Sequence, residues 1–165
     1  MTESAHLTHV DAAGAARMVD VSAKSVSVRR AVAAGRLRTT AEVVDLLRRD
    51  GLPKGDALAV ARVAGIMGAK RTADLVPLCH PLPLESVEVD LEPDAALPGV
   101  RAVATARVEA KTGVEMEALT AVTCALLTVY DMCKARDRGM ELGGIRLLRK
   151  EGGRSGTWTV ETDEG

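Results

Sequence analysis

Apolar residues along this chain recur at two periods, near 2 and near 3.6, and the switches between them divide it into elements. After a polar start, Arg17 to Val21 reads as a short extended run. Val26, Val28 and Val32 then recur at even spacing, which predicts a strand despite the alanines around them. Thr39 with Glu42 three residues on forms a capping box and opens a helix through Val43, Leu46 and Leu47. Gly51 and Pro53 stop that helix. Asp56 caps a second helix from Ala57 to about Met67, whose alanines and Gly65 permit close packing. Pro77, Pro81 and Pro83 exclude a helix interior and hold the Pro77–Leu84 segment extended and stiff.

Val87, Val89 and Leu91 alternate with Ser86, Glu88 and Asp90, as in a half-buried strand, and Val100 to Ala110 alternates likewise. The strongest helix signal comes next: Leu119, Val122, Leu126, Val129, Tyr130 and Cys133 fall on one face. Ile145–Lys150 and Thr157–Val160 read as two further extended runs, joined by a glycine-rich connection. Strand pairs separated by helical blocks predict an α+β domain, with a mainly antiparallel sheet and helices packed on one face. The 165 residues fit a single domain, 1–165, with a loose tail at about 1–8 and a mobile loop at about 151–156.

Composition adds an expectation about assembly. The chain is 47% hydrophobic but has no Phe, one Trp and one Tyr, so its apolar content is mostly Ala, Val and Leu. Such side chains each remove less surface from water than an aromatic ring, and burial between subunits is one remedy. A net charge of -1 with interspersed signs argues against a nucleic-acid coat, and so does the scarcity of stacking rings. Three Cys without CxxC spacing fit reduced thiols in a cytoplasm better than a disulfide framework. Met1 to Val10 lacks the apolar core of a leader, and no uninterrupted apolar run reaches membrane-spanning length.

Several polar groups stand where structure alone does not demand them. Cys79-His80 lies between prolines, so its side chains are aimed rigidly; a proline-rich loop with a buried Cys is the plain alternative. Adjacent Cys and His do not by themselves make a tetrahedral metal set. Glu115-Met116-Glu117 precedes the long helix, where the macrodipole favours acids whether or not they bind a guanine-like edge. Asp131 and Lys134 lie one turn apart, either as a surface ion pair or as an acid–base pair in a cleft. Lys54 sits at a helix start, where a cation gains nothing from the dipole. Lys150 and Arg154 flank glycines, suiting a cationic lid over phosphates. The Gly-Gly-Arg-Ser-Gly stretch is not a P-loop, since it lacks the Gly-Lys-Ser/Thr ending.

These residues occur as an ordered set: Met18-Val19-Asp20-Val21-Ser22, Lys54-Gly55-Asp56, Pro77-Leu78-Cys79-His80-Pro81-Leu82, Val114-Glu115-Met116-Glu117-Ala118-Leu119, Tyr130-Asp131-Met132-Cys133-Lys134-Ala135, and the stretch Lys150 to Gly156. From about Leu7 to Gly156 the chain closely resembles the cyclic pyranopterin monophosphate synthase family. The resemblance implies a ferredoxin-like fold in a homohexamer, a trimer of dimers. It implies conversion of 3',8-cyclo-7,8-dihydroguanosine 5'-triphosphate to cyclic pyranopterin monophosphate, with loss of pyrophosphate, in molybdenum cofactor biosynthesis. No metal and no cofactor is implied. Motif by motif, Asp131 and Lys134 match the acid–base pair, with Lys54 and His80 as further catalytic residues. Leu78, Cys79, His80, Met116 and Glu117 match substrate contacts, and Arg29, Glu115 and Lys150 match other pocket residues. Arg154 stands where many members of that family have Lys, keeping the charge but changing its shape.

Two other classes share parts of this pattern: another nucleotide- or pterin-processing lyase, and a non-catalytic nucleotide-binding module. The latter needs the cations but not the Asp131–Lys134 pair. A geometric expectation follows from the helix itself. Glu117 and Asp131 are fourteen residues apart, about 21 Å along an unbroken helix, so one chain does not bring them to the same reacting atoms; an extended triphosphate bridges part of that gap, and an antiparallel neighbour that supplies one of them closes it.

Overall fold

A computed structural model describes residues 8–52 and 56–160, so Lys54 and nearly all of the expected tail lie outside the described residues. In chain order the elements are β1 (Ser27–Arg38), α1 (Ala41–Arg48), α2 (Ala57–Lys70), α3 (Thr72–Leu75), β2 (Ser86–Asp94), β3 (Gly99–Ala110), α4 (Glu115–Cys133), β4 (Glu141–Glu151) and β5 (Trp158–Thr159). The five strands form one antiparallel sheet in the order β2-β3-β1-β4-β5. The expected α+β class holds. Placing β1 between β3 and β4 gives the strand order of a split βαβ arrangement, which is compatible with a ferredoxin-like fold.

Small residues explain how a core without Phe closes. On β1 and β3 the rows facing α4 read Ala31, Ala33, Gly35 and Leu37 against Ala106, Ala104, Ala102 and Val100. All but Gly35 are fully buried. A Cβ added to Gly35 would lie 2.8 Å from Val122 Cγ1 and 3.1 Å from Leu126 Cδ1, so the helix rests directly on strand backbone. The α2–α4 contact uses the same device, as a Cβ on Gly65 would meet the Ala121 carbonyl oxygen at 2.8 Å. Close approach replaces aromatic bulk in filling the interior.

Local details depart from the sequence reading. Thr40, not Thr39, caps α1 by accepting from Val43 N at 3.4 Å, while the Thr39 hydroxyl donates to Asp137 Oδ2 at 2.8 Å. Asp56 does cap α2, accepting from Ala59 N at 2.9 Å, and the helix runs on to Lys70. The proline segment is not extended throughout, because Cys79 N donates to Val76 O at 3.0 Å and closes a turn after α3. Val26 and Val28 are about half exposed, since the covered face of β1 is the alanine row. Finally, α4 has 19 residues at mean hydropathy 1.3, long and apolar enough to cross a membrane by length and composition. Its Ala118, Ala121, Val122, Ala125, Leu126 and Val129 are instead buried against the sheet and α2, as in the core helix of a folded domain.

Candidate active site

β1 begins before α4 does, and that offset opens a cavity. Ala31 and Ala33 are buried, whereas Ser27 and Arg29, on the same parity of β1, line a cavity with the N-terminal end of α4. There β4 ends at Glu151 and the chain turns away through Gly152 and Gly153, both at positive φ, 92° and 76°. The resulting cavity of about 750 Å³ is lined by five cations, Lys24, Arg29, Arg30, Lys150 and Arg154, against the carboxylates of Glu115 and Glu151. Its volume is that of a site for one small molecule.

Three of these cations, Arg29, Arg30 and Lys150, are held in place. Arg29 donates from Nε to Ala110 O and from Nη2 to Lys111 O, each at 3.3 Å. A Cβ at Gly153 would fall 1.6 Å from Arg29 Nη1, so the second glycine leaves room for the guanidinium. Lys150 Nζ donates to Ser155 Oγ at 2.6 Å and lies 3.9 Å from Glu115 Oε1. Arg29, Glu115 and Lys150 thus line the same cavity. Arg30 is occupied by Glu151 at 3.1 Å.

Glu117 points the other way from the first turn of α4 and is 4% exposed. Burial pushes its carboxyl up to about 7, and the nearby Glu115 carboxylate pushes in the same direction. Burial also raises the Cys79 thiol, with a smaller push from the Glu117 charge, which makes Cys79 and Glu117 neighbours. Leu78, Cys79 and His80 are half-buried, and Met116 is 38% exposed. Asp131 and Lys134 form a 2.8 Å ion pair on the exposed surface at the opposite end of α4. The fold therefore brings expected residues into three groups and leaves the third far from the other two.

The match to known proteins extends over almost the whole length. A family model described as the MoaC family covers residues 18–153. The chain belongs to the MoaC family. A Methylobacterium sp. (strain 4-46) protein named cyclic pyranopterin monophosphate synthase is 60% identical over 157 residues, 95% of this chain and 98% of its own. A protein of the same name from Jannaschia sp. (strain CCS1) is 56% identical, covering 98% of each chain. One from Brucella ovis is 55% identical over 95% of each.

Within this MoaC-family chain, the cavity also gathers Lys24, Ser27 and Arg30, which sequence reasoning did not pick out. Parity on β1 held the signal for Ser27, two residues before Arg29 on the same side of a strand. Lys24 lies in a turn, its N–H bonded to Val21 O at 3.0 Å, and no periodicity reaches it there.

Proposed function

We propose that this chain converts 3',8-cyclo-7,8-dihydroguanosine 5'-triphosphate to cyclic pyranopterin monophosphate and pyrophosphate, as a single-domain cytoplasmic lyase of molybdenum cofactor biosynthesis. The observation that carries the reading is the cavity in which Arg29 and Lys150 are fixed beside the N-terminus of α4. Forming the cyclic phosphate expels pyrophosphate, and fixed cations stabilise the charge that grows on it. The names of the relatives at 55–60% identity supply the reaction.

In this reading Asp131 and Lys134 transfer protons at ring nitrogens and ribose oxygens while the imidazole-type ring opens and the pterin forms. Lys54 and His80 are the further proton-transfer groups. Leu78, Cys79, His80, Met116 and Glu117 contact the substrate, and Arg29, Glu115 and Lys150 line the rest of its pocket. The loop at 151–156 closes over the phosphates.

The assembly in this reading is a homohexamer, a trimer of dimers, with each site shared across a dimer. Support comes from α2, where Val60, Val63 and Met67 are 46%, 56% and 51% exposed along one stripe, with Leu127 of α4 at 56%. A partner covering such a stripe gains apolar burial that the alanine core lacks. Incubation with the cyclic dihydroguanosine triphosphate tests the function: pterin product and pyrophosphate are expected in equal amounts. Absence of both, in a folded oligomer, refutes it.

A further inference from the structure

The chain leaves α4 at Lys134 without a left-handed stop. Lys134 itself is right-handed, with φ -57° and ψ -21°, and no residue from Ala135 to Met140 has a positive φ. A left-handed glycine is the common device for ending a helix and setting the direction of the chain beyond it. Here backbone bonds reach as far as Asp137: Lys134 N donates to Tyr130 O at 2.9 Å, and Arg136 N and Asp137 N donate to Cys133 O at 2.8 and 3.3 Å. The path from there to Glu141, where β4 starts opposite Arg38 of β1, needs another tie.

Asp137 supplies it with both carboxylate oxygens. Oδ1 accepts from Gly139 N at 2.8 Å, which closes an ordinary local turn. Oδ2 accepts from the Thr39 hydroxyl at 2.8 Å, and that residue lies 98 positions earlier in the chain. Thr39 is itself held, since it follows the last residue of β1 and its N–H donates to Pro98 O, in the β2–β3 connection, at 3.1 Å. Both partners are half-buried, and a hydrogen bond to an ionised acceptor is stronger than a neutral one. On the near side the Tyr130 hydroxyl donates to Arg138 O at 3.0 Å, so the last turn of α4 grips the same segment.

The pair next to these ties depends on them. Asp131 and Lys134 have side chains 59% and 52% exposed, so little burial fixes either one, and their aim follows the backbone that carries them. Lys134 is the first residue beyond α4 and lies between two tied points, Tyr130 and Asp137. From this arrangement we infer that Asp137, anchored by Thr39, is a positioning residue for the Asp131–Lys134 pair, setting where Lys134 presents its proton while touching no substrate itself. The inference rests on the reading of Asp131 and Lys134 as the acid–base pair and adds the residues that aim it. Catalysis is steep in such geometry: a misplacement of about 1 Å can cost on the order of 100-fold in rate.

The test is steady-state turnover of the cyclic dihydroguanosine triphosphate by the oligomeric protein, with thermal melting for stability. Thr39→Val keeps the shape and removes the hydroxyl. It is expected to lower kcat about tenfold with KM within about twofold of the parent, because Asp137 keeps its bond to Gly139. Thr39→Ser, which keeps the hydroxyl, should recover most of that loss. Asp137→Ala removes both bonds and should lower kcat further, and adding Thr39→Val to it should change nothing more. If Asp137→Ala fails to fold, the two Thr39 variants decide. A threonine serving only the fold would melt lower and leave kcat per folded oligomer at the parent's value, which overturns the inference. A loss of kcat that Thr39→Ser does not recover overturns it as well. Lys134→Ala is the control for the underlying reading. If it abolishes turnover while Thr39→Val leaves kcat unchanged, the positioning role falls alone. If Lys134→Ala turns over like the parent, or the parent has no turnover, that reading falls and the inference with it.

Discussion

Glu117 and Asp131 project from one unbroken helix, α4, fourteen residues and therefore about 21 Å apart along its axis. The first is buried beside Cys79 and the second is exposed in an ion pair with Lys134. No single chain brings these two groups to the same reacting atoms. The proposed antiparallel dimer would do so, by setting the Glu117 end of one helix beside the Asp131 end of the other. Mixing inactive Lys134→Ala with inactive Glu117→Ala after reversible dissociation should restore activity. Half the dimers are then mixed and one site in each is intact, so about a quarter of parental turnover is expected. No recovery, with mixed dimers confirmed by mass spectrometry, would place the whole site in one chain.

Asp131→Asn keeps volume and helix geometry while removing both a base and the charge that holds Lys134 at 2.8 Å. Turnover should fall by at least about 100-fold, the scale of general acid–base catalysis, with the melting temperature nearly unchanged. An exposed pair contributes little to stability, so a large loss of folding would contradict the assigned role.

Lys150→Ala should act on binding rather than on the proton-transfer steps. Its ammonium lies in the cavity, 2.6 Å from Ser155 Oγ. Losing one charge-assisted contact to a phosphate should raise KM about 10- to 100-fold while changing kcat less. Lys134→Ala and Lys54→Ala should show the reverse split. Steady-state kinetics on the three variants separates the two roles.

Much of this fold was legible in the chain, and the misses have physical causes. Apolar periodicity located α4 and the β2–β3 pair because those segments bury one face against a continuous layer. For β1 it located the strand but not the core side: the valines lie on the uncovered face, and alanines, which carry little hydrophobic signal, form the buried row. Thr39 and Thr40 are chemically equivalent as caps; the choice fell to Thr40 because Thr39 is engaged by Asp137 from across the fold. Of the charged residues that line the cavity, Glu115 and Lys150 stood out by their places at a helix start and beside glycines, and Arg29 only through motif resemblance. Ser27 was missed because a serine at a strand start is ordinary until its surroundings are known.

Close helix packing gives a stability prediction. Gly65→Ala gains about 1 kcal/mol in helix propensity. Against this, the new Cβ would meet Ala121 O at 2.8 Å and Ala125 Cβ at 3.2 Å, so backbone must shift. Overpacking of this kind costs about 1–3 kcal/mol, so the net effect should be destabilising by up to about 2 kcal/mol. Urea titration should show a lower midpoint at unchanged slope. A raised midpoint would mean that α2 and α4 are free to separate.

The buried carboxyl of Glu117 sets a pH dependence of stability. Its folded-state pKa, pushed up to about 7 mainly by burial, lies above the ordinary value of 4.5. The folded protein therefore holds a proton that the unfolded chain releases between those values. The stability that this proton provides is fully present below about 4.5 and is lost as pH rises through about 7. Three other carboxylates act with the opposite sign: Asp20, Asp94 and Glu151 are all lowered, chiefly by hydrogen bonds from Ser22, Arg101 and Arg30 respectively. Their contributions are lost only as pH falls through their depressed values, below the Glu117 window. Between about 4.5 and 7, Glu117 should accordingly dominate the slope. Glu117→Gln replaces the acid by a neutral group of similar shape. Melting temperatures measured from pH 5 to 8 should decline for the parent and stay nearly level for the variant, with the two closest at the acid end. Parallel curves across that range would mean that Glu117 is already ionised at pH 5 and that burial does not hold its proton.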